Sequence, residues 1–155
     1  MAEKDLQSYV ADTEDVARML FSPLFIDKGR LSPTAFALRV FADKPETYIS
    51  VLRTCFECFL SDTELIKPPS ANTVYGYALL NVGKIRNLKL YSEQEICFDV
   101  VPRGTGKLKS HAGITIRIDQ QLLKGGQRPT SLLRIQNSLL RIAERRLVKL
   151  SSDDY

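Results

Sequence analysis

The chain has 155 residues, enough to bury one sizeable core and too few for two ordinary domains. Its 44% hydrophobic and 26% charged residues are those of a globular protein, and the longest apolar stretches, such as Thr73 to Val82, break off well short of the roughly 20 residues a membrane helix needs. The net charge of +4 is uneven: residues 1–99 carry 11 Lys and Arg against 14 Asp and Glu, residues 100–155 carry 11 against 4, so an anionic partner competes with a merely well-solvated surface.

The amino terminus is acidic and lacks the basic start and apolar centre of a secretory signal, so a cytoplasmic chain is expected. Leu6, Val10, Val16, Ala17 and Leu20 lie between charges, with Asp12 or Thr13 as a cap, which predicts a short helix over 13–21. "LFSPLFIDKGRLSPTAFALRVF" reads as an extended segment, a Lys28-Gly29 turn and a second piece opened by Ser32-Pro33. Thr47, Tyr48, Ile49 and Val51 favour a strand that passes into a short helix around Leu52 to Leu60. "KPPSAN" is a loop, because consecutive prolines cannot donate to a ladder. "TVYGYALLNVGKI" is the central-strand candidate, with Gly76 marking a bulge or a close backbone approach.

"EICFDVVP" and "HAGITIRI" complete a β-rich middle over 22–120. The second alternates Ile114, Ile116 and Ile118 against Thr115 and Arg117, which predicts one buried and one polar face. After "GGQRPTSLL", Thr130 or Ser131 caps a predicted helix over 130–150, in which Leu132, Ile135, Leu139, Ile142, Ala143 and Leu147 recur at helical spacing. The expected fold is a single α+β domain: a mainly antiparallel sheet with flanking helices and a long C-terminal helix, since the connections are too short for many helical crossovers.

Several stretches carry candidate chemistry. Cys55 and Cys58 form a CxxC, but Phe56 and Phe59 interleave with them, no second CxxC exists, and His111 and Cys97 are the other soft ligands; core packing is favoured over a metal or redox role, and no metal or cofactor is expected. "PRGTGKLKSHAGITI" looks like a phosphate loop. It fails as a Walker motif, because Val101 stands at the first glycine position, Leu108 follows Lys107, and a strand rather than a helix comes next. A flexible basic hairpin loop remains, in which Arg103, Lys107 and Lys109 surround glycines that let an anion approach the backbone. His111, the only histidine, opens the following strand: it is either a structural hydrogen-bonding residue or an acid/base whose pKa the cationic loop lowers. A Ser/His/Asp hydrolase gains little support, since there is no GxSxG elbow and Ser50 sits inside "YISVLR". Arg134, Arg141, Arg145 and Lys149 recur at intervals of seven, four and four along the predicted last helix, a stripe suited to phosphates or an acidic protein, or else a solvated outer face.

"LSPTAF", "YISVLR", "YGYALLNVGKIRNL" and "VVPRGTGKLKSHAGI" resemble a loose group of small, uncharacterised bacterial proteins, in which an "S..AF" segment is followed by "SV.R", a glycine-containing apolar segment and a "P....HA.I" run. The resemblance covers roughly residues 20–118 and implies a bacterial intracellular protein with Ser50, Arg53 and His111 at the recurring polar positions. An arginine pair common at the start of this region in the group is replaced here by "LFSPLF", so any activity those arginines carry is in doubt for this chain. The group brings no established activity with it.

Two kinds of function follow. One is a binding or accessory module, such as a component of a bacterial multi-protein defence or mobile-element system, that grips a protein or nucleic acid through its basic last third. The other is a small enzyme in which Arg53 and the 103–109 loop hold a phosphorylated or nucleotide substrate and His111 is the acid or base; Ser50 joins Arg53 and His111 as a candidate catalytic residue. ADP-ribosyl transfer and phosphodiester cleavage are chemistries open to such an enzyme, though neither has a diagnostic motif in the sequence. No membrane partner is expected, and the oligomeric state is not legible.

Overall fold

The computed structural model describes residues 7–37, 40–41, 44–45, 48–91, 95–117 and 128–150. In chain order the strands are β1 (Asp15–Ser22), β2 (Ile26–Asp27), β3 (Arg30–Leu31), β4 (Val40–Phe41), β5 (Lys44–Pro45), β6 (Tyr48–Arg53), β7 (Thr73–Asn81), β8 (Lys89–Tyr91), β9 (Glu95–Pro102), β10 (His111–Arg117) and β11 (Leu147–Lys149). The helices are α1 (Phe59–Leu65), α2 (Val82–Arg86) and α3 (Arg128–Ala143), with a 3-10 turn at Pro33–Phe36. Seven strands form one antiparallel sheet in the order β11-β7-β1-β6-β10-β9-β8, while β2-β3 and β4-β5 are small separate ladders. The fold is therefore α+β and mainly antiparallel. Packing of α3 on the 3-10 turn and β7, and of α2 on β9, brings Val82, Ile85, Ile135, Leu139 and Ala143 onto a core made by Val16, Leu20, Ile49, Val51, Leu80, Val100 and Ile114. No helix among the described residues is long and apolar enough to cross a membrane.

Local sequence explains the turns. Lys28 and Gly29 both take positive φ, 52° and 76°, between the paired residues Asp27 and Arg30, the geometry a two-residue hairpin needs. Ser32 Oγ accepts from the Thr34 N–H while Pro33 fixes the first turn position. Gly76 satisfies both meanings assigned to it. The β1–β7 register slips between Leu20 and Phe21, opposite Gly76 and Val74, and a side chain at Gly76 would collide with the Val148 carbonyl of β11.

Four expectations are corrected. The segment expected as a helix over 13–21 is β1, a central strand buried on both faces; a strand covered on both sides reads as a near-continuous apolar run, and its chance helical spacing misleads. The helix placed around 52–60 begins at Phe59, because Val51, Leu52 and Arg53 are all buried within β6. "VGKI" leaves the strand: the side chain of Asn81, the last residue of β7, accepts from the Lys84 N–H at 3.0 Å and caps α2. The helix expected over 130–150 runs over Arg128–Ala143, so Thr130 and Ser131 lie inside it rather than cap it, and the chain turns back at Glu144 and Arg145 to form β11. Ile135, Leu139 and Ala143 keep the predicted buried stripe, but Leu147 belongs to the strand. Leu6, Thr47 and Ile118 lie outside the described residues, as does the side chain of Leu132.

Candidate functional site

The site grows from strand alternation. β6 and β10 pair with His111 opposite Leu52, Gly113 opposite Ser50 and Thr115 opposite Tyr48, and β9 places Val101 opposite Gly113 and Asp99 opposite Thr115. Partners point the same way and neighbours alternate, so Tyr48, Ser50, His111, Gly113, Thr115, Asp99 and Val101 share one face. Ile49, Val51, Ala112, Ile114 and Val100 fill the opposite, buried face. On the open side Ser50 Oγ and His111 Nε2 are 2.7 Å apart, a hydrogen bond between strands. Protonation at Nδ1 makes Nε2 the acceptor of the Ser50 hydroxyl; protonation at Nε2 makes it the donor.

Arg103 lies beside this pair. Its guanidinium carbon sits 3.8 Å from the centre of the Tyr48 ring, and its Nε is buried with no hydrogen-bond partner. Stacking on an aromatic face holds the guanidinium while leaving its in-plane donors free. Gly113 makes room for the arrangement: a Cβ there would stand 2.8 Å from Tyr48 Cδ2 and 3.0 Å from Arg103 Nε. A buried N–H without an acceptor carries a desolvation cost of about 1–3 kcal/mol.

Burial lowers the pKa of His111 below its ordinary 6.5, a hydrogen bond with the Arg103 backbone pulls it up, and the Arg103 charge pushes it down again. The net direction leaves a neutral imidazole at pH 7, able to accept a proton. The loop that brings Arg103 to His111 is tied at several points. Arg103 N–H donates to the His111 carbonyl at 2.9 Å, Thr105 and Leu108 bond reciprocally, and the Gln7 amide donates to the Gly104 carbonyl at 2.8 Å. Beneath it, Asp62 of α1 accepts from the N–H and hydroxyl of Ser110, at 2.9 and 2.6 Å. The expected flexible hairpin loop is thus a hydrogen-bonded hairpin connection between β9 and β10.

The other sequence candidates are placed elsewhere. Arg53 is fully buried on the opposite side of β6, where it bonds both carboxylate oxygens of Glu14 at 2.9 and 2.8 Å and the carbonyls of Ser8 and Tyr9. With its donors committed to the fold, Arg53 holds the segment 8–14 and does not meet Ser50 and His111. Of the loop cations, Lys107 is exposed and Lys109 is half-buried and already engaged. Arg134, Arg141 and Arg145 are exposed, and Lys149 stands over Tyr75 on the edge strand β11. The CxxC thiols donate to carboxylates, Cys55 to Glu14 at 3.0 Å and Cys58 to Asp62 at 3.4 Å. No group of three His, Cys, Asp or Glu suited to a metal occurs among the described residues.

Tyr48 and Gly113 are the site residues the sequence reading missed. The signal was present: alternation in "YISVLR" puts Tyr48 with Ser50, and a glycine inside a strand marks a close approach. Arg146 was missed too; it pairs with Asp15 of β1 through two hydrogen bonds, at 3.1 and 2.8 Å. No family model, curated protein or solved structure matches the chain.

Proposed function

We propose that the open face of β6 and β10 binds a small anionic ligand, a phosphoryl or carboxylate group, with Arg103 as its anchor and the Ser50–His111 pair as the group that moves a proton at it. The observation that carries this reading is the Arg103 guanidinium, held on Tyr48 with a buried Nε that has no partner, beside a hydrogen-bonded serine and neutral histidine. No carboxylate contacts the His111 ring among the described residues, so the pair is read as an acid/base pair and not as part of a Ser/His/Asp triad. Calorimetric titration with inorganic phosphate at low ionic strength tests it. Saturable binding that weakens at least about tenfold in Arg103→Ala and persists in the distant Lys67→Ala is expected; binding indifferent to Arg103 would refute the reading.

A second reading concerns a polyanionic partner, protein or nucleic acid. It rests on Arg141 and Arg145, which are exposed without an ion pair among the described residues, whereas the neighbouring Arg146 is committed to Asp15. Charge reversal at both arginines should abolish salt-sensitive binding to a single-stranded oligonucleotide or an acidic peptide while leaving phosphate binding unchanged. Full retention would remove this surface from the function.

A further inference from the structure

We infer that the ligand is elongated and anionic at both ends, with its second charge, a phosphate or carboxylate, answered by Arg117; this rests on the anion site proposed above. An open groove of about 500 Å³, lined by Tyr9, Arg86, Cys97, Asp99, Thr115 and Arg117, continues the same face of the sheet. Continuity follows from register. Thr115 in the groove pairs with Tyr48, whose ring carries Arg103, and on its other side with Asp99, while Arg117 pairs with Cys97. Gly113, Thr115 and Arg117 alternate onto one face, so the groove begins one side chain beyond the anion site.

The charges of the groove are unequal in what they have left to offer. Arg86 bonds Asp99 at 2.7 Å, Asp12 at 2.6 Å and the Val100 carbonyl at 3.1 Å, and its guanidinium stacks on Tyr9. Asp99 is answered by Arg86 and by its own neighbour's Val100 N–H. That wall sets one cation against two carboxylates, a net charge of −1, and its polar groups are committed to one another. Arg117 is exposed and makes no hydrogen bond or ion pair with the described residues, so it is the cation of the groove whose donors are uncommitted. Between the two cations the floor holds Thr115 and its register partner Asp99, whose charge is taken by Arg86, beside Tyr48. From Gly113 to Arg117 is four residues of strand, about 13 Å at roughly 3.3 Å per residue. The chemistry that fits is an anionic head at Arg103, Ser50 and His111, a neutral polar body along Thr115, and a second anionic group about 13 Å away.

A spacer series separates this from simple anion binding. Methylphosphonate and alkane-1,n-bisphosphonates of increasing length are titrated calorimetrically at fixed ionic strength. Tethering two binding events raises affinity only when the spacer matches the span, so a bisphosphonate reaching about 13 Å should bind at least about tenfold more tightly than methylphosphonate, and short members should not. Arg117→Ala should erase the gain of the long member, and Arg103→Ala should weaken every member of the series. Affinity independent of spacer length, or a gain that survives Arg117→Ala, overturns the elongated ligand while leaving the head site standing. Failure of methylphosphonate and all bisphosphonates to bind the folded protein overturns both.

Discussion

Two arginines, Arg53 and Arg103, lie on opposite faces of the same part of the sheet, and they show what distinguishes a structural cation from an available one. Arg53 is fully buried, and its donors end on Glu14, Ser8 and Tyr9 while its plane packs on Phe56 at 4.9 Å. Arg103 is half-buried, stacked on Tyr48, and its Nε has no partner. Burial alone does not separate the two roles. Satisfaction of the donors does, because a guanidinium with every N–H committed can bind nothing else without breaking the fold.

The largest test of this contrast is stability. Removing either member of a buried ion pair leaves an uncompensated charge, so Arg53→Ala or Glu14→Ala should cost about 3–5 kcal/mol in urea unfolding. Arg103→Ala should change stability by less than about 1 kcal/mol, since the lost stacking is offset by removal of an unsatisfied donor. Equal losses would erase the distinction. The pair also has an acid limit. Burial opposes ionisation of Glu14, but hydrogen bonds from Arg53, Cys55 and the Ala11 N–H, with the Arg53 charge, hold its pKa down to about 2. A depressed carboxylate pKa contributes stability that is fully present above the unfolded value of 4.5 and lost as pH falls through about 2. Glu14→Gln should remove that acid-side slope.

A smaller effect probes how Arg103 is held. In Gly113→Ala the new methyl would stand 2.8 Å from the Tyr48 ring and 3.0 Å from Arg103 Nε, so the ring and the guanidinium have to move. Overpacking of this kind costs about 1–3 kcal/mol. Phosphate affinity should fall with it, because the displaced atoms are those that frame the anion site. Loss of stability with undiminished phosphate binding would place the anion away from Gly113.

How far the sequence reveals this arrangement depends on the range of the signal. The antiparallel middle was legible because "HAGITIRI" alternates and "KPPSAN" breaks the chain, and both are local properties. Gly76 was legible as a bulge or close approach for the same reason. Burial of β1 on both faces is not local; it depends on residues far along the chain packing above and below the sheet, and without that knowledge Val16, Ala17 and Leu20 mimic a helix. Ser50 and His111 were each picked out, but their 2.7 Å contact depends on a β6–β10 register spanning 61 residues, which no periodicity encodes. The same limit misassigned Arg53. Only the fold shows that Glu14, 39 residues earlier, takes its charge. In the last helix, the arginine spacing concealed that the chain reverses after Ala143 and that Arg146 joins β11 to Asp15 on β1.

The finest test is the protonation of His111. As the only histidine of the chain, its ring protons are assignable by inspection in a proton NMR titration. Burial first, and then the Arg103 charge, should place the transition below 6.5, despite the opposing backbone hydrogen bond. Because folding depresses this pKa, the unfolded chain binds the proton more readily. The contribution to stability is therefore present above 6.5 and declines as pH falls from there through the folded pKa, a shallow slope on the weakly acidic side. Arg103→Ala should return the transition only part of the way to 6.5, since burial is the larger cause and remains. Bound phosphate should raise it, because a negative charge beside the ring favours the imidazolium. A transition at or above 6.5 in the free protein would mean that the ring is solvated or faces an acid, and a neutral His111 ready to take the Ser50 proton at pH 7 would lose its physical basis.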